Sequence, residues 1–382
     1  MNQDRKRILD MVQSGKITAQ EALILLEALD GSAANIPGEE RKSSERPYSG
    51  QESFGGGDRS SADEKTRSKD KADDTIYTQL ESAGEKIYDF VNNAFKKIKD
   101  IDLQFTQSID IPHVFQQADA QFKRMDIDIA NGPVTLAVWD QNEVRVECNA
   151  KVYRSNDREE ARTYFLENTR FIVSDELFCF TTESKWMKVE ATVYIPRSVY
   201  EKLSVRIFNG GFTGKELEFN ALNVKTTNGK IELQKVNGEK LEMETVNGQI
   251  KISGSHVESV KGETVNGAVE IAGDYRETDV HSFNGNISCT LPHSGARKLD
   301  AKAVTGNITF SVPEGAIEGD LKSSLGNIKL DMEDVEVIHE RKEIVQKQIT
   351  FKKGSLDGDR LRLYADTKTG SITVRKANEP AQ

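Results

Sequence analysis

Cysteine is scarce: Cys148, Cys179 and Cys289 are the three in 382 residues. An odd and scattered set excludes a disulfide framework and predicts reduced, buried thiols. Histidine is nearly as rare. His113, His256, His281, His293 and His339 stand apart, with no cysteine pair beside them, so no zinc-finger or zincin spacing is present and neither a metal nor another cofactor is expected. Long apolar runs are missing as well. No stretch approaches the ~18 apolar residues of a membrane span, and Met1-Asn2-Gln3-Asp4-Arg5-Lys6-Arg7 is not followed by an uninterrupted apolar segment of signal-peptide length. The expected address is the cytoplasm, at a membrane face in one alternative. Basic excess is absent too, since the formal charge is −10 and the pI about 5.3, which argues against a nucleic-acid binder. Catalytic signatures are lacking. Gly210-Gly211-Phe212-Thr213-Gly214-Lys215 misses the phosphate-loop glycine spacing and carries Glu216 where Ser or Thr must hold magnesium, and no Gly-x-Ser-x-Gly elbow occurs. No enzyme is expected.

What the chain does contain is a repeat. Asn228-Gly229, Asn247-Gly248 and Asn266-Gly267 recur 19 residues apart, and Asn284-Gly285 follows after 18. Asn-Gly is a strong turn signal because both residues tolerate positive φ. Two and four positions past each glycine stand Ile231 and Leu233, Ile250 and Ile252, Val269 and Ile271, Ile287 and Cys289, and the same pattern follows Gly132, Gly306, Gly326 and Gly370. Such alternation predicts a half-buried strand. Five positions before the glycine the residue is mostly apolar and four before it is polar or ionisable. Three before it is Thr226, Thr245, Thr264, Ser282, Ser323 or Thr367, with Ala303 the exception. The two-residue pleat puts these hydroxyls on the buried side, as core hydrogen-bonding partners and not as an array for sugar or ice.

Outward positions favour in-register stacking. Glu232, Lys251 and Glu270 alternate in sign, while Asn286, Asn307 and Asn327 are spaced for an asparagine ladder. A fixed period near 20 residues marks units that bury their faces only by stacking on neighbours. The expected fold is mainly β, a repetitive β-solenoid of about 19–21 residues per unit, with an antiparallel meander as the rival.

The remainder divides by composition. Residues 1–30 predict a small α-helical hairpin, broken at Ser14-Gly15, whose Leu9, Val12, Leu23, Leu26 and Leu29 would bind a protein partner or a second copy of the chain. Residues 31–74 are a polar, glycine- and serine-rich linker. Residues 75–121 hold an amphipathic helix to about residue 100 and a connector. Within it Ile87, Phe90, Val91 and Phe95, followed by Lys96 and Lys97, suit a membrane interface; the competing expectation is that this helix caps an end of the β stack. The β-strand-repeat domain spans 122–376, with a short helix from Asp157 to Asn168 and an irregular, charged insertion from Val335 to Phe351, and 377–382 is a tail.

The Thr-x-Asn-Gly-x-Ile/Val-x-Ile units, Thr245 to Ile252, Thr264 to Ile271 and Ser282 to Cys289, resemble the bacterial candidate-adhesin β-strand-repeat family catalogued as domain of unknown function 4097, over roughly Lys123 to Arg375. Ile8 to Leu29 is similar to the hairpin that precedes this domain in LiaX-like and YvlB-like envelope-stress proteins of Firmicutes. The resemblance implies a non-enzymatic scaffold or regulator of the bacterial cell-envelope stress response. Its partner would be a protein, an antimicrobial peptide or a membrane surface, and the family supplies no active site. Two alternatives accompany it. One is a surface adhesin or glycan-binding or glycan-active β-helix protein, reaching the cell surface by an unrecognised export route; the other is a peripheral membrane protein attached through residues 75–100.

Overall fold

The computed structural model describes residues 108–343, 346–355 and 359–377. The expected hairpin, linker and amphipathic helix, with Leu9, Val12, Leu23, Leu26, Leu29, Ile87, Phe90, Val91, Phe95, Lys96 and Lys97, lie outside the described residues, as do positions 378–382.

The building unit is a long strand, a corner and a short strand. Long strands β8 (Val199–Asn209), β10 (Glu218–Asn228) and β12 (Asn237–Asn247) lead into the short limbs β9 (Phe212–Lys215), β11 (Ile231–Gln234) and the start of β13 (Ile250–Asn266). β13 and β14 (Val269–Asn284) each run a short limb into the next long one without a break, and β15 (Ile287–Thr290) follows. Pairing between rungs is parallel and in register. Thr226 lies beside Thr245, then Thr264, then Ser282, while Ile231 lies beside Ile250, then Val269, then Ile287. Parallel ladders rule out the meander. Ile231, Ile250 and Val269 are all buried in one shared interior, as the alternation of apolar and polar residues dictates. Cys148 and Cys289 belong to that interior, and burial pushes both thiols up to about 12.

The corners depart from expectation in one respect. Among the corner glycines only Gly132 and Gly306, with φ of 122° and 151°, occupy positive φ. At Gly229, Gly248, Gly267 and Gly285 glycine is required by close approach instead, because an added Cβ would run into the carbonyl of the corner glycine one rung below. The hydroxyl three residues earlier donates to that same carbonyl: Thr245 Oγ1 to Gly229 O and Thr264 Oγ1 to Gly248 O, both at 3.1 Å. Thr226, Ser282, Ser323 and Thr367 make the equivalent bond. The asparagine ladder also sits two positions from where it was expected, on the residue before the corner glycine and not the one after it. Asn209, Asn228, Asn247 and Asn266 each donate an amide N–H to the asparagine oxygen of the preceding rung, at 2.8–3.0 Å, starting from Asn131. At Asn286 and Asn307 the side-chain oxygens accept backbone N–H groups, from Asn307 and Ser371 respectively.

Both ends of the stack are folded out of sequence order. Strands β2 (Arg124–Asn131) and β3 (Val134–Trp139) lie between β8/β9 and the later β6 (Leu177–Thr182) and β7 (Met187–Pro196). At the other end β16 (Lys298–Thr305) and β17 (Ile308–Val312) pair with the last strands, β22 (Leu361–Thr367) and β23 (Ile372–Lys376). Only beyond these come β18 (Ile317–Ser323) and β19 (Ile328–Asp331). The corner of Gly370 therefore lies between those of Gly306 and Gly326, which are not neighbours as a simple sequential stack would have them.

Other elements close the two ends. β4 (Glu143–Tyr153) runs antiparallel to β7, and β1 (Ser108–Ala118) antiparallel to β4, so the expected connector before residue 122 contains a strand. Helix α1 (Arg158–Glu167) starts at Asp157, whose side chain accepts from the Glu160 N–H at 2.9 Å, the N-cap its sequence predicts. With β5 (Thr169–Val173) it brings Phe165 and Phe171 against Phe115 and Phe180. At the far end, β20 (Val335–Lys342) and β21 (Lys347–Lys353) form the hairpin of the expected insertion. β21 pairs antiparallel with β18, and buried Phe351 covers Gly319. Such caps protect the edges that a parallel stack leaves open.

Candidate interaction surface

Along the long strands the outward side of each rung presents two positions, six and four residues before the corner glycine. Register turns them into two continuous rows. One is Asn223, Glu242, Lys261, Asp279 and Asp300; the other is Lys225, Glu244, Glu263, His281 and Lys302. Opposite charges meet within and across the rows. Lys225 Nζ lies 2.8 Å from Glu244, Lys240 Nζ 2.8 Å from Glu242 and Lys261 Nζ 2.7 Å from Glu263, while Asn223 donates to Glu242 at 3.0 Å. Nearer the first rungs Arg206 reaches both Asp126 and Asp128. Although these side chains face away from the core, Glu263 is 5%, His281 8%, Lys302 8% and Asp300 9% exposed. Neighbours in register on either side screen them from solvent, and the lysine stems cover what remains.

Burial and pairing set the ionisation of this lattice. Lys240, hydrogen-bonded to Glu242, holds that carboxyl below the usual carboxylate range. Burial works to raise Asp279, but the adjoining His281 and then Lys302 and Lys298 outweigh it and hold it low. Burial raises Asp300, which the attraction of Lys302 does not offset. Beside the charged rows, two residues before the corner, runs an apolar one: Val246, Val265 and Val304 are half-buried and Phe283 is 42% exposed. At the opposite corner Arg197, Lys235, His256, Asp274 and His293 line an open groove of about 750 Å³.

Asn228, Gly229, Asn247, Gly248, Asn266, Gly267, Asn284 and Gly285, the expected turn residues, all fall at corners, where they serve the frame. The paired rows were visible only as polar positions before each glycine. One grouping escaped the sequence altogether: Asp279, His281 and Asp300 stand together, although the histidines look isolated along the chain. The 21-residue step from Gly285 to Gly306 is the signal that aligns Asp279 with Asp300. Carboxylates of the kind a glycan-active β-helix needs do converge here, yet Asp300 is buried against Lys298 and Lys302.

A parallel β-solenoid with a glycine rail at its corners and in-register charge rows on one face is the class these features define. Residues 122–355 match the Toastrack DUF4097 domain, and residues 3–33 match a SHOCT-like domain. The chain belongs to the Toastrack DUF4097 family. It is 40% identical to the uncharacterised protein YvlB of Bacillus subtilis over 378 residues, 98% of this chain and 99% of that one. Solved structures with likeness include a candidate adhesin from Bacteroides fragilis, 12% identical with a TM-score of 0.41, covering 69% of this chain and 97% of that one. A candidate lipid-binding protein from Parabacteroides distasonis is 10% identical with a TM-score of 0.34, covering 69% and 97%. Among the described residues no helix is long and apolar enough to cross a membrane.

Proposed function

We propose that the chain is a non-enzymatic scaffold of the bacterial cell-envelope stress response, in which the solenoid presents its long-strand face to a protein partner and residues 1–30 bind a partner or a second copy. The observation that carries this reading is the face itself. Its charges of both signs stand at positions fixed by backbone register, and the row of Val246, Val265, Phe283 and Val304 beside them offers apolar area. A rigid patterned surface with an apolar strip suits recognition of a complementary surface. The resemblance of residues 8–29 to the hairpin of envelope-stress proteins supplies the biological setting. Deleting residues 1–30 is expected to abolish self-association or partner recruitment in cross-linked cells while the β domain melts as before. Unchanged oligomer size and unchanged recruitment overturn the reading.

A second reading, peripheral membrane attachment through residues 75–100, is favoured by one observation. Other elements, α1, β1, β5 and the β20–β21 hairpin, already pack at the ends of the stack, and Ile87, Phe90, Val91 and Phe95 followed by Lys96 and Lys97 suit an interface. Liposome flotation of the full chain against Phe90/Phe95→Ser decides it, and equal non-binding by both ends it.

A further inference from the structure

Four buried side-chain atoms without a hydrogen-bond partner among the described residues lie in one place. They are Asp279 Oδ1, both ring nitrogens of His281, and Asp300 Oδ1. Folded proteins leave few buried polar atoms unsatisfied, so a concentration of four in three residues points to a ligand. Topology explains how they meet. Asp279 and His281, two residues apart on β14, project from the same side of the strand, and the parallel register with β16 sets Asp300 directly beside Asp279. One donor atom from each residue falls within 4.8 Å of the other two.

The contact between the first two is informative. His281 Nε2 stands 3.0 Å from Asp279 Oδ1, a separation that suits a direct contact and equally suits two donors to one ion. Two ligands of one ion stand in this way. With metal bonds of ~2.0–2.2 Å, neighbouring donors lie ~3–3.5 Å apart and aim at the ion and not at each other.

We propose that Asp279, His281 and Asp300 form a divalent transition-metal site that staples adjacent rungs, with one imidazole nitrogen and two carboxylate oxygens favouring zinc. Neutral imidazole selects transition ions over calcium or magnesium, and thiolates, which would shift the choice further, are absent from the cluster. The fourth position opens on the Asp279 side, where the side chain is 42% exposed. Glu263, 5% exposed, is placed as the partner that orients the ring, with Oε1 4.0 Å from His281 Nδ1. A small ring rotation converts that approach into a carboxylate–histidine–metal relay. Lys298 and Lys302, at 3.6 and 3.7 Å from Asp300, oppose the ion, which must compete with both for the Asp300 carboxylate.

The test uses the full chain, stripped with chelator and titrated with zinc alone by calorimetry, with elemental analysis after dialysis. One zinc per chain is expected. His281→Asn and Asp279→Asn/Asp300→Asn should each weaken binding at least tenfold, and zinc should raise the melting temperature of the parent chain only. No stoichiometric zinc, or equal binding by parent and both variants, overturns the site. Cobalt substitution of the parent chain keeps the proposal testable if a variant misfolds. A spectrum of nitrogen and oxygen ligation supports it, and a thiolate charge-transfer band refutes it.

Discussion

Gly248 and Gly254 differ in what an added methyl group would meet. At Gly254, with φ of 56°, the nearest atom to a new Cβ is 3.9 Å away, so alanine there bears only the left-handed backbone penalty, about 1 kcal/mol. At Gly248 the new carbon runs into the Gly229 carbonyl, and since rungs cannot separate locally, Gly248→Ala should cost ~3 kcal/mol or more. Urea midpoints of the two variants check the contrast. Ala303 offers the converse case. It stands in register with Ser282 where other rungs carry a hydroxyl, so Gly285 O lacks the bond that Ser282 Oγ gives Gly267 O at 3.0 Å. Ala303→Ser should add roughly 0.5–1.5 kcal/mol, read as a higher melting temperature. Glu242 supplies a pH dependence. Lys240 holds its folded pKa below the ordinary value, so its contribution is present above about pH 4.3, the unfolded value, and is lost as pH falls through the lowered one. Glu242→Gln should therefore be less stable than the parent at pH 7 by roughly half a kcal/mol, and the two should converge by pH 3 in urea titrations. The need for glycine at each corner was legible from recurrence alone. Its cause was not, because the carbonyl that excludes a side chain comes from 19 residues away in the chain.

At the scale of elements, β22 and β23 are the instructive pair. They occupy an interior rung, hydrogen-bonded to β16 and β17 on one side and to β18 and β19 on the other. A chain ending at residue 355 thus loses an internal layer and not an end. Closing the gap would require β18 to move by about 4.8 Å, one strand spacing, carrying the β20–β21 hairpin with it. The expected outcome is a lower, broader melting transition and rapid proteolysis of residues 317–355, compared with a chain ending at 377; limited proteolysis followed by mass spectrometry measures this. The insertion from Val335 to Phe351 was legible in its charged, strand-like pattern. The threading was not: a spacing of 44 residues between Gly326 and Gly370 fits an insertion equally well whether the next rung lies outside the previous one or inside it. Hydrophobic periodicity reports which side of a strand is buried, and it carries no record of which strand lies alongside.

For the molecule as a whole, the solenoid and its family were legible because one local rule repeats, whereas the candidate surface needed register before its separate polar positions became rows. Asp279 and Asp300 illustrate the difference: each belongs to an ordinary polar position, and only pairing between β14 and β16 makes them one site. The place kept for β22 and β23 also bears on how the protein comes into being. A ribosome delivers β18 through β21 before the two strands that must separate them from β16, so the stack cannot simply grow layer by layer as the polypeptide emerges. The hairpin end has to wait unattached, or dock prematurely and let go, until β22 and β23 have emerged and can wedge themselves in.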